Sequence, residues 1–314
     1  MLEPLAILAG PTAVGKTALS LPVAEALGAE IVNVDSRQLY RYMDIGTAKP
    51  SHAEQQRVPH HLLDLLMPHE KSNAARFLSA AQGALEVVRQ CGKRVLIVAG
   101  SGLYLQALLF GLMPAPAACE PLRRVLRSYA ERRGTPALHR RLQLVDPAAA
   151  LSYHPHDRTR LIRALEVTYL TGEPFSRHRE RHQAQQPAYL YTGVVVTRER
   201  AELSRRIAER TDAMLAAGWL AEVRELASQG YTRECPAMDS LGYRELLGYL
   251  AGEADWQHTV SAIKQATCRF AKRQLTWFRK VPHLSWLNLS GLREPEAVAH
   301  IVRCCQEGGE KPGP

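Results

Sequence analysis

No stretch of this 314-residue chain approaches the roughly 18 consecutive apolar residues of a membrane-spanning helix, so no membrane partner is expected. The apolar run at residues 4–9 is too short for a secretory core and has no basic residues before it, which gives a cytosolic expectation. Cysteine is scarce and unpatterned. Cys91, Cys119, Cys235, Cys268, Cys304 and Cys305 form no CxxC pair and none sits with histidines at zinc-finger spacing, which argues against a disulfide framework or structural zinc. His60, His61, His154 and His156 show no ligand spacing either, and structural roles suit them better. No internal repeat is present. Acidic residues are the minority, 31 against 40 lysines and arginines, for a formal charge of +9. A surplus of this size points to a polyanionic partner, the alternative being that it serves solubility alone.

What is present reads as a globular α/β chain, 46% apolar and 23% charged, long enough for one large domain or two smaller ones. Residues 5–9 predict a short strand, followed by a loop and by a helix over 16–27 that Gly28 closes. Residues 30–34 predict a second strand ending at Asp35. After an alanine-rich helical stretch at 73–90, residues 94–99 predict a third, entering Gly100, Ser101 and Gly102, and 189–197 a fourth. Unbroken apolar runs separated by helices predict a parallel sheet flanked by helices on both faces. Between 113 and 186 no strand is predicted and arginines accumulate, so an all-helical basic lobe is expected there, with Pro- and Gln-rich hinges at 114–121 and 183–187. The expected organisation is a discontinuous core (1–113 and 187–305), an insertion (114–186) and a disordered tail (306–314). Helical patterns resume over 199–229 and 258–280.

Gly10, Pro11, Thr12, Ala13, Val14, Gly15, Lys16 and Thr17 match GxxxxGK[ST] between a predicted strand and helix, the context that makes this pattern a P-loop. Its amides and the helix N-terminus converge on phosphate oxygens, Lys16 adds a point charge, and Thr17 can ligate Mg²⁺. A nucleoside triphosphate is the default ligand, yet the third strand ends in Ala99, Gly100 and Ser101 and lacks the aspartate that orders the metal in nucleotide hydrolases. Asp35 is the nearest carboxylate, at the strand edge that faces ligands in such sheets. It reads either as a general base, serving an acceptor hydroxyl or an acceptor amine, or as a turn or cap carboxylate preceding Ser36. On the late helix, Arg269, Lys272, Arg273, Arg279 and Lys280 alternate with Phe270, Trp277 and Phe278. That mixture suits phosphate contact and base stacking, or else an amphipathic helix with core aromatics and solvated cations. The segment 43–50, MDIGTAKP, has no periodicity that explains it and has the makings of a functional loop.

GPTAVGKT at 10–17, VDSRQLY at 34–40 and MDIGTAKP at 43–50 resemble the tRNA dimethylallyltransferases, also called isopentenyltransferases. PHHLLD at 59–64, RALEV at 163–167, GYRE at 242–245 and KRQLTWFR at 272–279 continue the likeness in order through nearly the whole chain. The resemblance implies a P-loop NTPase-like core and transfer of a dimethylallyl group from dimethylallyl diphosphate to N6 of adenosine 37, in tRNAs that read codons starting with U. The loop would then hold a leaving diphosphate with Mg²⁺ at Thr17. Asp35, Ser101 and Arg210 form the implied catalytic set, with Asp35 as base and Arg210, in RxxxR at 206–210, beside the diphosphate. RNA contacts are implied for Asp35, Ser36, Arg37 and Gln38, for Ser101 and Arg123, and for Thr159, Arg160, Leu161, Ile162 and Arg163. They are implied also for Asp239, Ser240, Leu241, Gly242, Tyr243 and Arg244, and for Lys272, Arg273, Gln274, Leu275, Thr276, Trp277, Phe278 and Arg279. The partner would be a tRNA anticodon stem-loop, bound by a monomer whose helical lobe clamps the stem. Two departures stand out: Ser101 replaces the threonine of the usual GGTGLY, keeping its hydroxyl, and Arg37 stands where many members carry a small residue.

Overall fold

The computed structural model describes residues 3–306. In chain order the elements are β1 (Leu5–Ala9), α1 (Lys16–Leu27), β2 (Ala29–Val34), α2 (His52–Arg57), β3 (His60–His61), α3 (Ala74–Gln90), β4 (Arg94–Ala99) and α4 (Gly102–Phe110). Five helices follow: α5 (Glu120–Arg133), α6 (Thr135–Val145), α7 (Pro147–Leu151), α8 (Arg158–Thr171) and α9 (Phe175–Gln183). The chain then adds β5 (Tyr191–Thr197), α10 (Arg200–Ala216), α11 (Trp219–Ser228), a 3₁₀ turn (Pro236–Asp239), α12 (Tyr243–Leu250), α13 (Trp256–Phe278), β6 (Ser285–Asn288) and α14 (Glu294–Gln306).

All six strands run parallel in the order β3-β2-β4-β1-β5-β6. β1, from Leu5 to Ala9, is buried at every position, as a strand covered on both faces must be. Alternate residues along it point to opposite faces. Ala6 and Leu8 join a core with Leu21, Val23 and Ile301 from α1 and α14, while Ile7, equally buried, lies outside that cluster. α3 packs on β2 and β4 and presents Phe77, Ala81, Leu85 and Val88, an i, i+4, i+8, i+11 stripe. Gly28, in the left-handed conformation, closes α1, and Asn73 caps α3 by accepting from Arg76 N–H.

The four predicted strands correspond to β1, β2, β4 and β5, with shifts of one or two residues at β2 and β5. β3 and β6 were not anticipated, being only two and four residues long at the sheet edges. The helical pattern over 199–229 divides into α10 and α11 at Gly218, which takes φ 101°. Residue 306 ends α14, and the rest of the expected tail, 307–314, lies outside the described residues.

The chain divides into two compact units, one made of the segments before 110 and after 187, the other Phe110–Pro187. The second is all-helical and has its own core of Leu126, Leu138, Leu142, Leu161, Leu165 and Phe175. At its centre the Glu166 carboxylate has no exposed surface and takes Cys119 N–H (2.8 Å), both arms of Arg123 (2.8 Å each) and Arg163 Nη1 (2.7 Å). Burial alone would raise this carboxyl; the hydrogen bonds from Arg123, Arg163 and Cys119 N–H outweigh it and leave the group below its ordinary range.

Candidate active site

Three adjacent strand ends build the site. β1 runs into residues 10–17, where Gly15 takes φ 111° immediately before α1, so the loop curls back over the helix N-terminus and its positive end. The outward groups of this loop are held from α10 and the turn before it. Arg206 Nε donates to Ala13 O (2.9 Å), Arg198 Nε to Val14 O (3.0 Å) and Arg210 Nη1 to Thr12 Oγ1 (3.3 Å). Lys16 Nζ donates to Gly10 O (2.8 Å) and Pro11 O (2.9 Å). The surrounding protein desolvates Lys16 and pulls its pKa down to about 7, although Asp35 opposes the shift and Arg210 adds to it. Burial likewise lowers Arg210, again against Asp35 and with Arg206. A pocket that holds Lys16 and Arg210 partly stripped of water is poised to gain from an incoming polyanion, which favours the charged form of both.

β2 ends one residue before Asp35, whose Oδ1 accepts from Arg37 N–H (2.8 Å) and Gln38 N–H (3.4 Å). One carboxylate oxygen therefore shapes the turn, and the other, Oδ2, points toward the end of β4. A Cβ on Gly100 would stand 2.7 Å from Oδ2, so glycine is what allows the carboxylate to lie there. The turn and base readings of Asp35 thus use different oxygens of the same group. Gly100 and Ser101 both donate their N–H to Val34 O at 3.0 Å, tying the β4 end to β2.

Asp35, Lys16 and Arg210 face one cavity of about 980 Å³, which also meets Thr12, Thr17, Arg37, Gln38, Arg273 and Gln274. Asp239, Ser240, Leu241, Tyr243 and Arg244 line it too, so the loop motif, the Asp35 turn and the late motifs converge in space. One more wall is the segment 43–50. Glu222 of α11 accepts from Asp44 N–H (2.8 Å), Ile45 N–H (2.7 Å), Gly46 N–H (3.2 Å) and the Tyr243 hydroxyl (2.5 Å). Gln38 Nε2 donates to Thr47 O (3.3 Å) and Ala48 O (3.0 Å), and Lys49 Nζ to Tyr40 O (2.9 Å) and Asp64 (2.6 Å). Glu222, Gln38 and Lys49 thereby help to fix an unpatterned loop, to which Gln55 Nε2 adds a bond to Pro50 O (2.8 Å).

Other expected contacts fall differently. Leu161 and Ile162 are core residues of the helical unit, so their side chains are not an RNA surface; Thr159 and Arg160, in the first turn of α8, are exposed. Arg123 and Arg163 lean inward on Glu166. Phe278 (0% exposed) and Tyr243 (0%) are packed, while Lys272, Arg273, Thr276 and Arg279 are exposed. Trp277 packs against Gly102 and carries Lys280 over its ring at 4.9 Å. α13 therefore combines both readings of its sequence: an inward aromatic at 278 and an outward cationic face. Val14 is wholly buried, Gly10 donates its N–H to Ala99 O, and Pro11 contributes its carbonyl to Lys16. Sequence reasoning missed Glu222, Arg198 and Arg206 as supports; of these only Arg206 had a signal, its four-residue spacing from Arg210.

For a divalent cation the chain offers the Thr17 hydroxyl at the cavity wall. Among the described residues no group of three His, Cys, Asp or Glu side chains forms a metal cage. That donor set fits Mg²⁺, which keeps several waters and takes its remaining oxygens from phosphates. Among the described residues no helix is long and apolar enough to cross a membrane.

Comparison with known proteins agrees with this layout. A tRNA dimethylallyltransferase of Geobacter metallireducens is 47% identical over 287 residues, covering 91% of this chain and 93% of the relative. One from Symbiobacterium thermophilum is 47% identical over 310 residues, covering 97% and 95%. Among solved structures, a tRNA isopentenylpyrophosphate transferase of Bacillus halodurans is 34% identical, with a TM-score of 0.71 over 96% of this chain and 95% of that one. A eukaryotic dimethylallyltransferase captured acting on tRNA is 25% identical, with a TM-score of 0.76 over 95% and 78%. An isopentenyl transferase model matches residues 4–66 and the IPP transferase model matches residues 38–281, so the chain belongs to the IPP transferase family.

Proposed function

We propose that this protein transfers the dimethylallyl group of dimethylallyl diphosphate to N6 of adenosine 37 in tRNAs reading codons that start with U, releasing diphosphate. The observation that carries this reading is the single cavity lined at once by Asp35, by Lys16 and Thr17 of the loop and by Arg210, with Asp35 close enough to act electrostatically on both cations. An anion site opposite a carboxylate suits displacement of a diphosphate by a weak amine nucleophile. Gly15, Lys16 and Thr17 present the helix N-terminus to the diphosphate, and Lys16 and Arg210 balance the charge that grows on it as the C1–O bond breaks. Mg²⁺ at Thr17 would supply further charge neutralisation. N6 forms its bond to C1 and passes its proton to Asp35 Oδ2, a role worth about 10² to 10⁴ in rate. Ser101, beside that strand end, would add a hydroxyl contact to the base.

The cationic residues Arg37, Arg244, Lys272, Arg273 and Arg279 are the proposed backbone contacts on the core, with Thr159 and Arg160 on the helical unit. The target base must leave its stack to enter the cavity, at a cost of a few kcal/mol. The organisation proposed is a catalytic core with a helical RNA-binding insertion, acting as a cytoplasmic monomer. The test is incubation of the protein with an unmodified anticodon stem-loop and dimethylallyl diphosphate. A gain of one C5H8 unit at adenosine 37 is expected. RNA of unchanged mass under saturating conditions, with the protein folded, would overturn the reading.

A further inference from the structure

Gln274 lies in α13, 262 positions from Thr12 and 174 from Gly100, yet its side chain joins the two. It is 5% exposed. Its Oε1 accepts Thr12 N–H at 2.9 Å and its Nε2 donates to Gly100 O at 2.7 Å. Thr12 belongs to the phosphate loop. Gly100 is the residue against which Asp35 Oδ2 rests, and its own N–H is tied to Val34 O, one residue before Asp35. The connection therefore runs from the anion loop through one amide to the peptide that seats the carboxylate.

The chemistry requires an amide. A primary amide carries an acceptor and a donor on one planar group and can meet an N–H and a carbonyl at once; a carboxylate lacks the donor, an ammonium lacks the acceptor, and a thioether of similar length supplies neither properly. With Thr12 N–H committed to Gln274, phosphate recognition is left to the amides nearer α1. Gln274 differs in this from its neighbours Lys272, Arg273 and Thr276, which are exposed on the same helix.

We infer that Gln274 is a positioning residue that sets the spacing between the leaving-group loop and the base, rather than a reader of RNA as its place in the KRQLTWFR motif would imply. The inference rests on the proposed transfer reaction. In-line displacement needs C1 between the departing diphosphate and the amine whose proton Asp35 receives, and a misplacement of about 1 Å costs on the order of 100-fold in rate.

The experiment measures kcat and both KM values for wild type, Q274M and Q274E, with pyrophosphate affinity and melting temperature alongside. Q274M keeps the bulk and loses both hydrogen bonds; its kcat should fall roughly 10- to 100-fold. Both KM values should stay within about threefold, the pattern of an interaction that matters in the transition state alone. Q274E should also lose kcat, because its second oxygen faces the Gly100 carbonyl without a proton. A rise in the RNA KM alone with kcat retained would overturn the inference in favour of RNA contact. Unchanged kinetics with a lower melting temperature would overturn it in favour of packing. Should Q274M not fold, Q274E, of nearly the same shape, is judged by the same split. Absence of prenylated RNA from the wild type would count against the proposed reaction itself, whereas an active wild type without the split counts against Gln274.

Discussion

Removing the Glu166 carboxylate should loosen the helical unit while leaving the core folded. The group is wholly buried and receives Cys119 N–H, two arms of Arg123 and one of Arg163. Breaking a buried ion pair typically costs 3–5 kcal/mol because the remaining partner is left uncompensated. Here the two arginines are 25% and 32% exposed and Cys119 is half-buried, so all three can recover some water, which puts the expected cost of Glu166→Ala at the low end, about 3 kcal/mol. Because the two units need not unfold together, the assay is native-state hydrogen exchange of α8 amides rather than a global midpoint. A loss of that size accelerates exchange about 10²-fold where exchange proceeds by opening of this unit. Replacing all three charged residues by methionine should recover most of the loss, since no buried charge is then orphaned. The carboxyl is held below its ordinary range, so its contribution is present above the unfolded pKa and is lost as pH falls through the folded one. A change under about 0.5 kcal/mol in Glu166→Ala, or a triple variant no more stable than the single one, would refute the reasoning.

Asp35→Asn should lower kcat by about 10² to 10⁴ with RNA affinity nearly unchanged, measured by single-turnover prenylation and filter binding; near-wild-type turnover would remove Asp35 as the base. Gly100→Ala places a methyl 2.7 Å from Asp35 Oδ2, and a drop in kcat of roughly 10- to 100-fold is expected; retained kcat would mean that the Asp35 position does not matter. Burial holds Lys16 at about 7 in the free protein, so an anion that restores its charge must take up a proton above that pH. Pyrophosphate affinity should consequently fall about tenfold per pH unit between pH 7 and 9 relative to Lys16→Arg, by calorimetry, and a constant ratio would contradict the assignment. The same sign makes the free protein's Lys16 contribution to stability rise over that range. Glu222→Ala strips three amides of segment 43–50 of their acceptor and should raise the RNA KM roughly tenfold with pyrophosphate affinity retained; loss of both would show that the loop supports the whole site.

The amino-acid sequence by itself determined the P-loop motif, the strand and helix around it, the carboxylate at the next strand end and the all-helical character of the arginine-rich stretch. These features are local: a P-loop needs eight consecutive residues, and a helix is written in a 3.6-residue period that survives without knowledge of neighbours. The resemblance reached further because it compares whole ordered motifs, yet it implied RNA contacts for runs of consecutive residues without distinguishing which of them turn inward. Tertiary structure alone decided that Leu161, Ile162 and Phe278 pack inward, that Arg123 and Arg163 turn to Glu166, and that Gln274 bridges Thr12 to Gly100. It also placed β3 and β6, too short for periodicity to register, and gave segment 43–50 its anchor in Glu222. Each of these depends on which distant part of the chain returns to the same point, and the sheet order sets that: β1, β2 and β4 end side by side although nearly 90 residues separate the first from the last. The P-loop was legible because its motif is eight consecutive residues; the contacts that hold it in place beside the Asp35 strand end were not, because they come from Arg198, from Arg206 and Arg210 of α10 and from Gln274 of α13.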